Sequence, residues 1–303
     1  MRPFTLALFT SALLALPRLT ADPGPTVWRM LNVTPAEGQA DCHLLRMADG
    51  RRVLIDAADA WDAPGAALAR LQQLGIRRLH LVVLSHFHHD HYGRLLDLLR
   101  AGIAVDRVAL NVPDKASADL ERPWGCDWDD VQAVLAELRV RQVPYFRPNP
   151  GQRLMQVIQH GVVVAGIDVI CCYNGIDTPV GRTDVNDTSI VLRVWHGPTR
   201  ILFTGDLNRP IGAYLAASGA DLKADILKAP HHGTEGTVPD EFFDRVGASA
   251  VLVPSPKGLW QSPRSLRIRN YFLDRKVPVY VSGIHGEVIV TLDGTGYMIE
   301  TGG

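Results

Sequence analysis

The chain has 303 residues and 47% hydrophobic content, enough for a substantial core in one large domain or two small ones. Lys and Arg number 31 against 32 Asp and Glu, a formal net charge of −1. This excludes the global field with which many proteins attract nucleic acid or a membrane surface. An anionic partner would have to be held by a local patch or by bound metal.

Residues 1–21 have the layout of a secretory signal. Met1-Arg2 is a short positive start, Phe4 to Leu16 is an apolar run broken only by Thr and Ser, and Pro17 precedes Leu19-Thr20-Ala21. The run is shorter than the roughly 20 residues a membrane-spanning helix needs, and no later apolar stretch is longer. We therefore expect a secreted or periplasmic location, no transmembrane segment, and a mature domain of residues 22–303; an apolar first strand or helix is the alternative. Cys42, Cys126, Cys171 and Cys172 have no metal-ligand spacing. Buried free thiols and one disulfide between distant positions both suit them.

After the extended Asp22-Pro23-Gly24-Pro25 come strand-like runs at Val27–Val33, Cys42–Met47 and Val53–Asp56, the last two joined by the turn Ala48-Asp49-Gly50. Pro64 to Leu74 has helical spacing and stops at Gly75. Leu79 to Leu84 predicts a buried strand that leads directly into a histidine cluster, and Tyr92 to Leu99 a helix. Further on, Arg107–Asn111 is strand-like, Asp129–Val140 helical, and Val157–Cys172 a pair of strands around Gly161. Ser189–Trp195 and Arg200–Phe203 predict a hairpin. Strands outnumber helices, yet helices occur throughout, so two sheets between helical layers fit better than a doubly wound sheet. There is no repeat and no linker after residue 26, which reads as one domain.

Four of the 11 histidines fall within His86-Phe87-His88-His89-Asp90-His91. Imidazole and carboxylate donors at this density suit zinc, manganese or iron; a solvated loop would not need them. At a strand end, His86 and His88 can point at one ion while Asp90 and His91 point at a neighbour. Asp206 ends the strand Ile201–Phe203 in Thr204-Gly205-Asp206, where a carboxylate can bridge two ions about 3.5–4 Å apart. Pro230-His231-His232-Gly233 follows Ile226-Leu227. Singly, Thr204-Gly205-Asp206 usually means a turn, and the paired histidines are ambiguous. Together with the main cluster they share one arrangement, a strand that ends in ligand-type residues.

The run His86-x-His88-x-Asp90-His91 resembles the signature of the metallo-β-lactamase superfamily. Gly38–Asp41, Val53–Asp56, Asn186–Ser189, Phe203–Asp206 and Ala224–Gly233 further resemble one branch, the hydrolase domain of ComEC-type DNA-uptake competence proteins and their stand-alone relatives. The similarity runs from about residue 27 to 292. It implies an αββα sandwich of two mixed sheets flanked by helices. It also implies His86 and His88 on one divalent ion, Asp90, His91 and His232 on a second, and Asp206 between them. Zn²⁺ is the first choice and Mn²⁺ the second. Asn186 lies near where the first ion's usual third histidine would be, His231 would face substrate, and Asp90 and His231 would be the catalytic pair. Asp56 is expected to orient a ligand histidine or simply to cap its strand. Two departures stand out. The branch carries a late Gly-His-Pro where this chain has Gln261-Ser262-Pro263, and Ser262 cannot replace an imidazole. Arg94 stands where a second glycine is usual.

The expected reaction is hydrolysis, by a hydroxide formed from a water whose pKa two divalent ions lower to about 7; the sequence offers no Ser or Cys nucleophile motif. Phosphodiesters fit best, whether in an anionic small molecule or a nucleic acid. Besides the resemblance, Lys257, Arg264, Arg267, Arg269, Arg275 and Lys276 face only Asp274 in their window, a patch suited to phosphates or to the solvated face of a helix from Arg264 to Leu273. Lactone, β-lactam or thioester hydrolysis is the alternative, and a non-catalytic binding protein with an impaired site is a third reading that Ser262 favours. Nothing calls for an obligate protein partner.

Overall fold

Leu81-Val82-Val83 and Ile226-Leu227 are apolar on consecutive positions, the pattern of strands covered on both faces of a parallel sheet. In the computed structural model, which describes residues 24–33, 38–59, 65–122 and 124–302, each lies within a large mixed sheet. The first sheet has eight strands in the order Tyr297–Thr301, Val288–Leu292, Thr26–Met30, His43–Arg46, Arg52–Ile55, Leu81–Val83, Val108–Ala109 and Tyr145–Phe146. The second has seven, in the order Val279–Val281, Ala250–Val253, Ile226–Lys228, Thr199–Phe203, Val191–His196, Val162–Cys171 and Arg153–Gln159. Each sheet is antiparallel on one side and parallel on the other.

The sheets meet face to face. Trp28, Leu45, Val53 and Ile55 from the first pack against Ile167, Leu192, Ile201 and Phe203 from the second. The outer faces carry the helices: Ala66–Gln73, Leu95–Arg100 and Trp128–Val140 on one side, Arg209–Ala217, Asp240–Val246 and Leu266–Asp274 on the other. The result is the expected αββα sandwich. All four cysteines are buried free thiols. The expected signal, residues 1–21, lies outside the described residues; among those described, no helix is long and apolar enough to cross a membrane.

Three local departures bear on the site. The run Leu79–Leu84 is split: Arg78–Leu79 pairs with Ala104–Val105 in a separate ladder, because the His80 ring accepts the Arg52 N–H that would otherwise extend the main one. The helix expected from Tyr92 begins earlier, at His89–Tyr92, and resumes at Leu95–Arg100. It breaks where the Gly93 and Arg94 N–H groups turn to the carbonyls of Ala58 and Ala57. Asp90 and His91 thus sit on a helical turn rather than in an open loop. Finally, Lys115–Glu121 is a helix that the reading of the sequence lacked, started by Asp114, whose carboxylate accepts from Ser117 N.

Candidate metal centre

The parallel strands of both sheets end at the same place, the usual position for a site in an α/β sheet. Asp56 follows Arg52–Ile55, His86 follows Leu81–Val83, Asp206 follows Thr199–Phe203, and His231 and His232 follow Ile226–Lys228. The turns are tight. Asp56, His231 and His232 all take left-handed backbone angles (φ 59°, 48° and 51°), which cost about 1–3 kcal/mol each and persist only where surrounding contacts impose them. Gly205 is also left-handed, and a Cβ there would lie 2.5 Å from Ser189 Oγ.

Three buried histidines of the site, His86, His91 and His232, are each held by one nitrogen. Asp56 accepts from Ser85 N (2.7 Å), Ser85 Oγ (2.8 Å) and His91 Nδ1 (2.9 Å). Ser85 Oγ, its proton given to Asp56, is left to accept from His86 Nδ1 at 3.1 Å. His232 Nδ1 donates to the Pro254 carbonyl at 2.8 Å. The Nε2 atoms of His86, His91 and His232 are buried without a hydrogen-bond partner. An imidazole with one nitrogen anchored and the other bare is the arrangement of a metal ligand.

Donor atoms of Asp90, His91, Asp206 and His232 all lie within 4.8 Å of one another. Asp206 Oδ2 is 3.3 Å from His91 Nε2 and 3.1 Å from His232 Nε2, and Gln39 Nε2 donates to Asp90 Oδ2 at 3.0 Å. Burial alone would raise the Asp206 carboxyl, but His232, His91 and Lys228 outweigh it and hold the group well below the usual carboxylate range. Burial would likewise lower His91, yet Asp206, Asp90, Asp56 and Asp41 hold it well above the usual imidazole range. A divalent cation would displace that proton and satisfy the bare nitrogens at once. The donor set fits a metal ion.

His86 and His88 stand beside this group of four rather than within it, their rings edge to face at 4.7 Å, with His86 4.1 Å from the His91 ring. His88 Nε2 is taken by Glu121 Oε2 at 2.6 Å, which leaves Nδ1 as its free nitrogen. Gly125 lies so close to the His88 ring that a Cβ would meet its Cδ2 at 2.9 Å. Asn186 contributes a buried Oδ1 without a partner.

Above these groups is a cavity of about 490 Å³ whose walls include His88, Asp90, Asn186, His231, Trp124 and Arg264. His231 Nδ1 donates to Asn208 Oδ1 at 2.9 Å, an orientation fixed because Asn208 Nδ2 donates to Asp184 at 2.7 Å. Burial lowers the His231 ring below its ordinary value. Ser262 is occupied elsewhere: its hydroxyl donates to Leu259 O (2.8 Å) and accepts from Arg264 N (3.2 Å). Arg264, two residues on, is the side chain this segment places in the cavity wall.

The basic patch read from the sequence largely dissolves. Arg267 pairs with Asp240 and donates to the carbonyls of Thr237 and Val238. Arg269 holds the Trp260 and Ser262 carbonyls. Arg275 lies over the Tyr271 ring at 3.7 Å and pairs with Asp244. Conversely, several residues absent from the sequence-based site touch it, among them Asp41, Glu121, Asn208 and Lys228. Asp41 and Lys228 lie in runs that carry the resemblance, and Lys228 also stands out as a charge within the apolar run Ile226-Leu227-Lys228-Ala229.

Residues 35–155, which include the main histidine cluster, match the family model described as metallo-beta-lactamase superfamily, and the two-sheet architecture is the metallo-β-lactamase fold. Among individual proteins, the chain is similar to ComE operon protein 3 of Bacillus subtilis (strain 168), at 20% identity over 192 residues. That match covers 60% of this chain and 21% of the relative, so the chain spans about a fifth of the relative's length. Among solved structures it resembles the metallo-beta-lactamase fold protein YhfI from Bacillus subtilis, with a TM-score of 0.51, 16% identity, and 85% of this chain and 96% of that one covered. It also resembles CmlA, a diiron beta-hydroxylase from Streptomyces venezuelae, with a TM-score of 0.53, 14% identity, and coverage of 89% and 54%.

Proposed function

We propose that this chain is a metal-dependent hydrolase of phosphodiesters. The observation that carries this reading is that His231 and Arg264 open onto the same cavity as His88 and Asp90. His86 and His88 would hold one divalent ion, Asp90, His91 and His232 a second, and Asp206 would lie between. Two such ions supply an activated water and a charge clamp on the scissile group.

The chain's own residues account for the rest. Among the described residues Arg264 has no carboxylate partner, so its guanidinium is free to hold a phosphate oxygen in the fork geometry arginine favours. His231, whose burial favours the neutral ring and whose Nδ1–H is given to Asn208, lines the cavity with its Nε2 4.0 Å from Asp206 Oδ2. Its Nε2 would accept the proton released by the attacking water and pass it to the leaving oxygen. Asp90, steadied by Gln39, shares the same floor.

Leu259 and Trp124, also in the cavity wall, favour a second reading, an apolar carbonyl substrate such as a lactone, β-lactam or thioester. The deciding experiment loads the protein with Zn²⁺ or Mn²⁺ and offers a bis-aryl phosphate, a chromogenic β-lactam and a lactone side by side. Phosphodiester turnover lost in His231→Ala supports the first reading; carbonyl turnover without phosphodiester turnover overturns it. A protein that holds two ions and turns over none of the three favours the reading as a non-catalytic binding protein. Export through residues 1–21 belongs to the same proposal, and the N-terminal sequence of the extracellular product tests it.

A further inference from the structure

We propose that Lys228 and Asp41 are a positioning pair for the donor group of Asp90, His91, Asp206 and His232, and that they reach the His86–His88 ion only through Asp206, the residue the two ions would share. The proposal rests on the two-ion reading above. Lys228 ends the strand Ile226–Lys228 and is 1% exposed, a position a lysine occupies only when its charge is matched. Its Nζ makes an ion pair with Asp41 Oδ2, lies 3.4 Å from Asp206 Oδ1, and donates to Gly205 O at 3.0 Å.

Asp41 extends the reach of that charge. Its Oδ1 is 3.2 Å from His232 Nδ1, its Oδ2 is 3.8 Å from His91 Nδ1, and its backbone N–H donates to the Asp90 carbonyl at 3.0 Å. The two residues together therefore touch all four members of the donor group. His86 and His88 are held by other means, through Ser85 and Glu121.

Two effects follow. Lys228 engages Oδ1 of Asp206, so Oδ2 is the oxygen turned toward the Nε2 atoms of His91 and His232. The ammonium also separates two buried carboxylates, Asp41 and Asp206, that would otherwise repel one another with no cation between them. Without it the Asp206 carboxylate is free to swing, and Asp41 loses the contact that aims it at His232.

The test is metal binding, followed by chelator competition with Zn²⁺ and by the visible spectrum with Co²⁺, in wild type, Lys228→Met, Asp41→Asn and Lys228→Arg. Loss of an outer partner commonly weakens a metal site about 10–100-fold. Lys228→Met is expected to lower the affinity for the ion at Asp90, His91 and His232 by that factor, to weaken the other ion clearly less, and to alter one component of the Co²⁺ spectrum more than the other. Lys228→Arg should recover part of the loss. Should Lys228→Met fail to fold by circular dichroism, Asp41→Asn carries the same test. Equal weakening of both ions, or a folded Lys228→Met protein that binds every ion the wild type binds with unchanged affinity and spectrum, overturns the proposal. A wild type that binds two ions yet hydrolyses no phosphodiester overturns the functional reading and leaves this one standing.

Discussion

Glu121 Oε2 and His88 Nε2 are 2.6 Å apart, and the other oxygen of the same carboxylate accepts the Val185 N–H at 3.0 Å. A helix end 33 residues away in the chain thus fixes which nitrogen of His88 is free. Removing the carboxylate should loosen that choice. On the proposed two-ion reading, Glu121→Ala is expected to weaken metal binding at His86 and His88 about 10–100-fold, with the other ion retained, as read by chelator competition. It should also cost about 1–3 kcal/mol of stability, because the Val185 N–H is left buried and unpaired. Loss of neither affinity nor stability would contradict the geometry.

Arg264 and Arg267 are separated by one helical turn and have opposite fates. Arg264→Ala should lower kcat/KM for a phosphodiester about 10–100-fold, roughly the value of a charge-assisted hydrogen bond, while the urea midpoint stays unchanged. Arg267→Ala should reverse the pattern, since its guanidinium ties Asp240 to the Thr237 and Val238 carbonyls. About 1–2 kcal/mol of stability should be lost with near-normal turnover. Parallel denaturation and kinetic measurements check both.

Gly205 sits at φ 52° with Ser189 Oγ 2.5 Å from where a Cβ would be. Gly205→Ala therefore has to move either the Ser189 side chain, which accepts the Asp206 N–H, or the turn itself. We expect at least about 1–3 kcal/mol of destabilisation and reduced metal content, measured by urea unfolding and elemental analysis. A variant as stable as wild type, with full metal content, would show that the turn can relax.

Asp187 is buried beside Asp184 and its Oδ2 has no partner. Burial, then the neighbouring carboxylate, pushes its pKa up to about 7, whereas an unfolded aspartate titrates near 3.9. The folded protein therefore binds this proton more tightly than the unfolded chain does. The resulting stabilisation is complete below about pH 4 and is lost as the pH rises toward about 7. Asp187→Asn, which mimics the neutral acid, should flatten this decline between about pH 4 and 7 in urea titrations. Because Asp187 holds the Asn208 N–H (2.9 Å) and Asn208 orients His231, the same variant tests whether that chain of contacts steadies the cavity. An unchanged pH profile would count against the raised pKa.

Much of this centre is legible in the chain because it is local. His86 through His91 are contiguous, and Asp206, His231 and His232 each follow an apolar run, so strand periodicity and residue type together place them. The Asp56–His91 contact was also expected in kind, since an acid at a strand end suits an outer partner of a ligand histidine. The misreadings are equally specific. Arg267, Arg269 and Arg275 look like a phosphate patch until Asp240, the Trp260 carbonyl and Asp244 are found beside them. Ser262, which stands where the resembled branch carries a histidine, has its hydroxyl bonded to its own turn.

The sequence alone determined most of the strand-and-helix pattern, the αββα layering and a set of residues suited to hold metal, because those follow from apolar periodicity and from ligand types clustered within a few positions. Only the tertiary structure decided which nitrogen each histidine leaves bare, that Arg264 shares a cavity with His231, and that Asp41, Glu121, Asn208 and Lys228 hold the site. Those four are single polar residues whose partners lie far along the chain. For Asp41, Glu121 and Lys228 the pairing is settled by burial, which makes an unpaired charge too costly to keep, and burial is known only once the two sheets have closed.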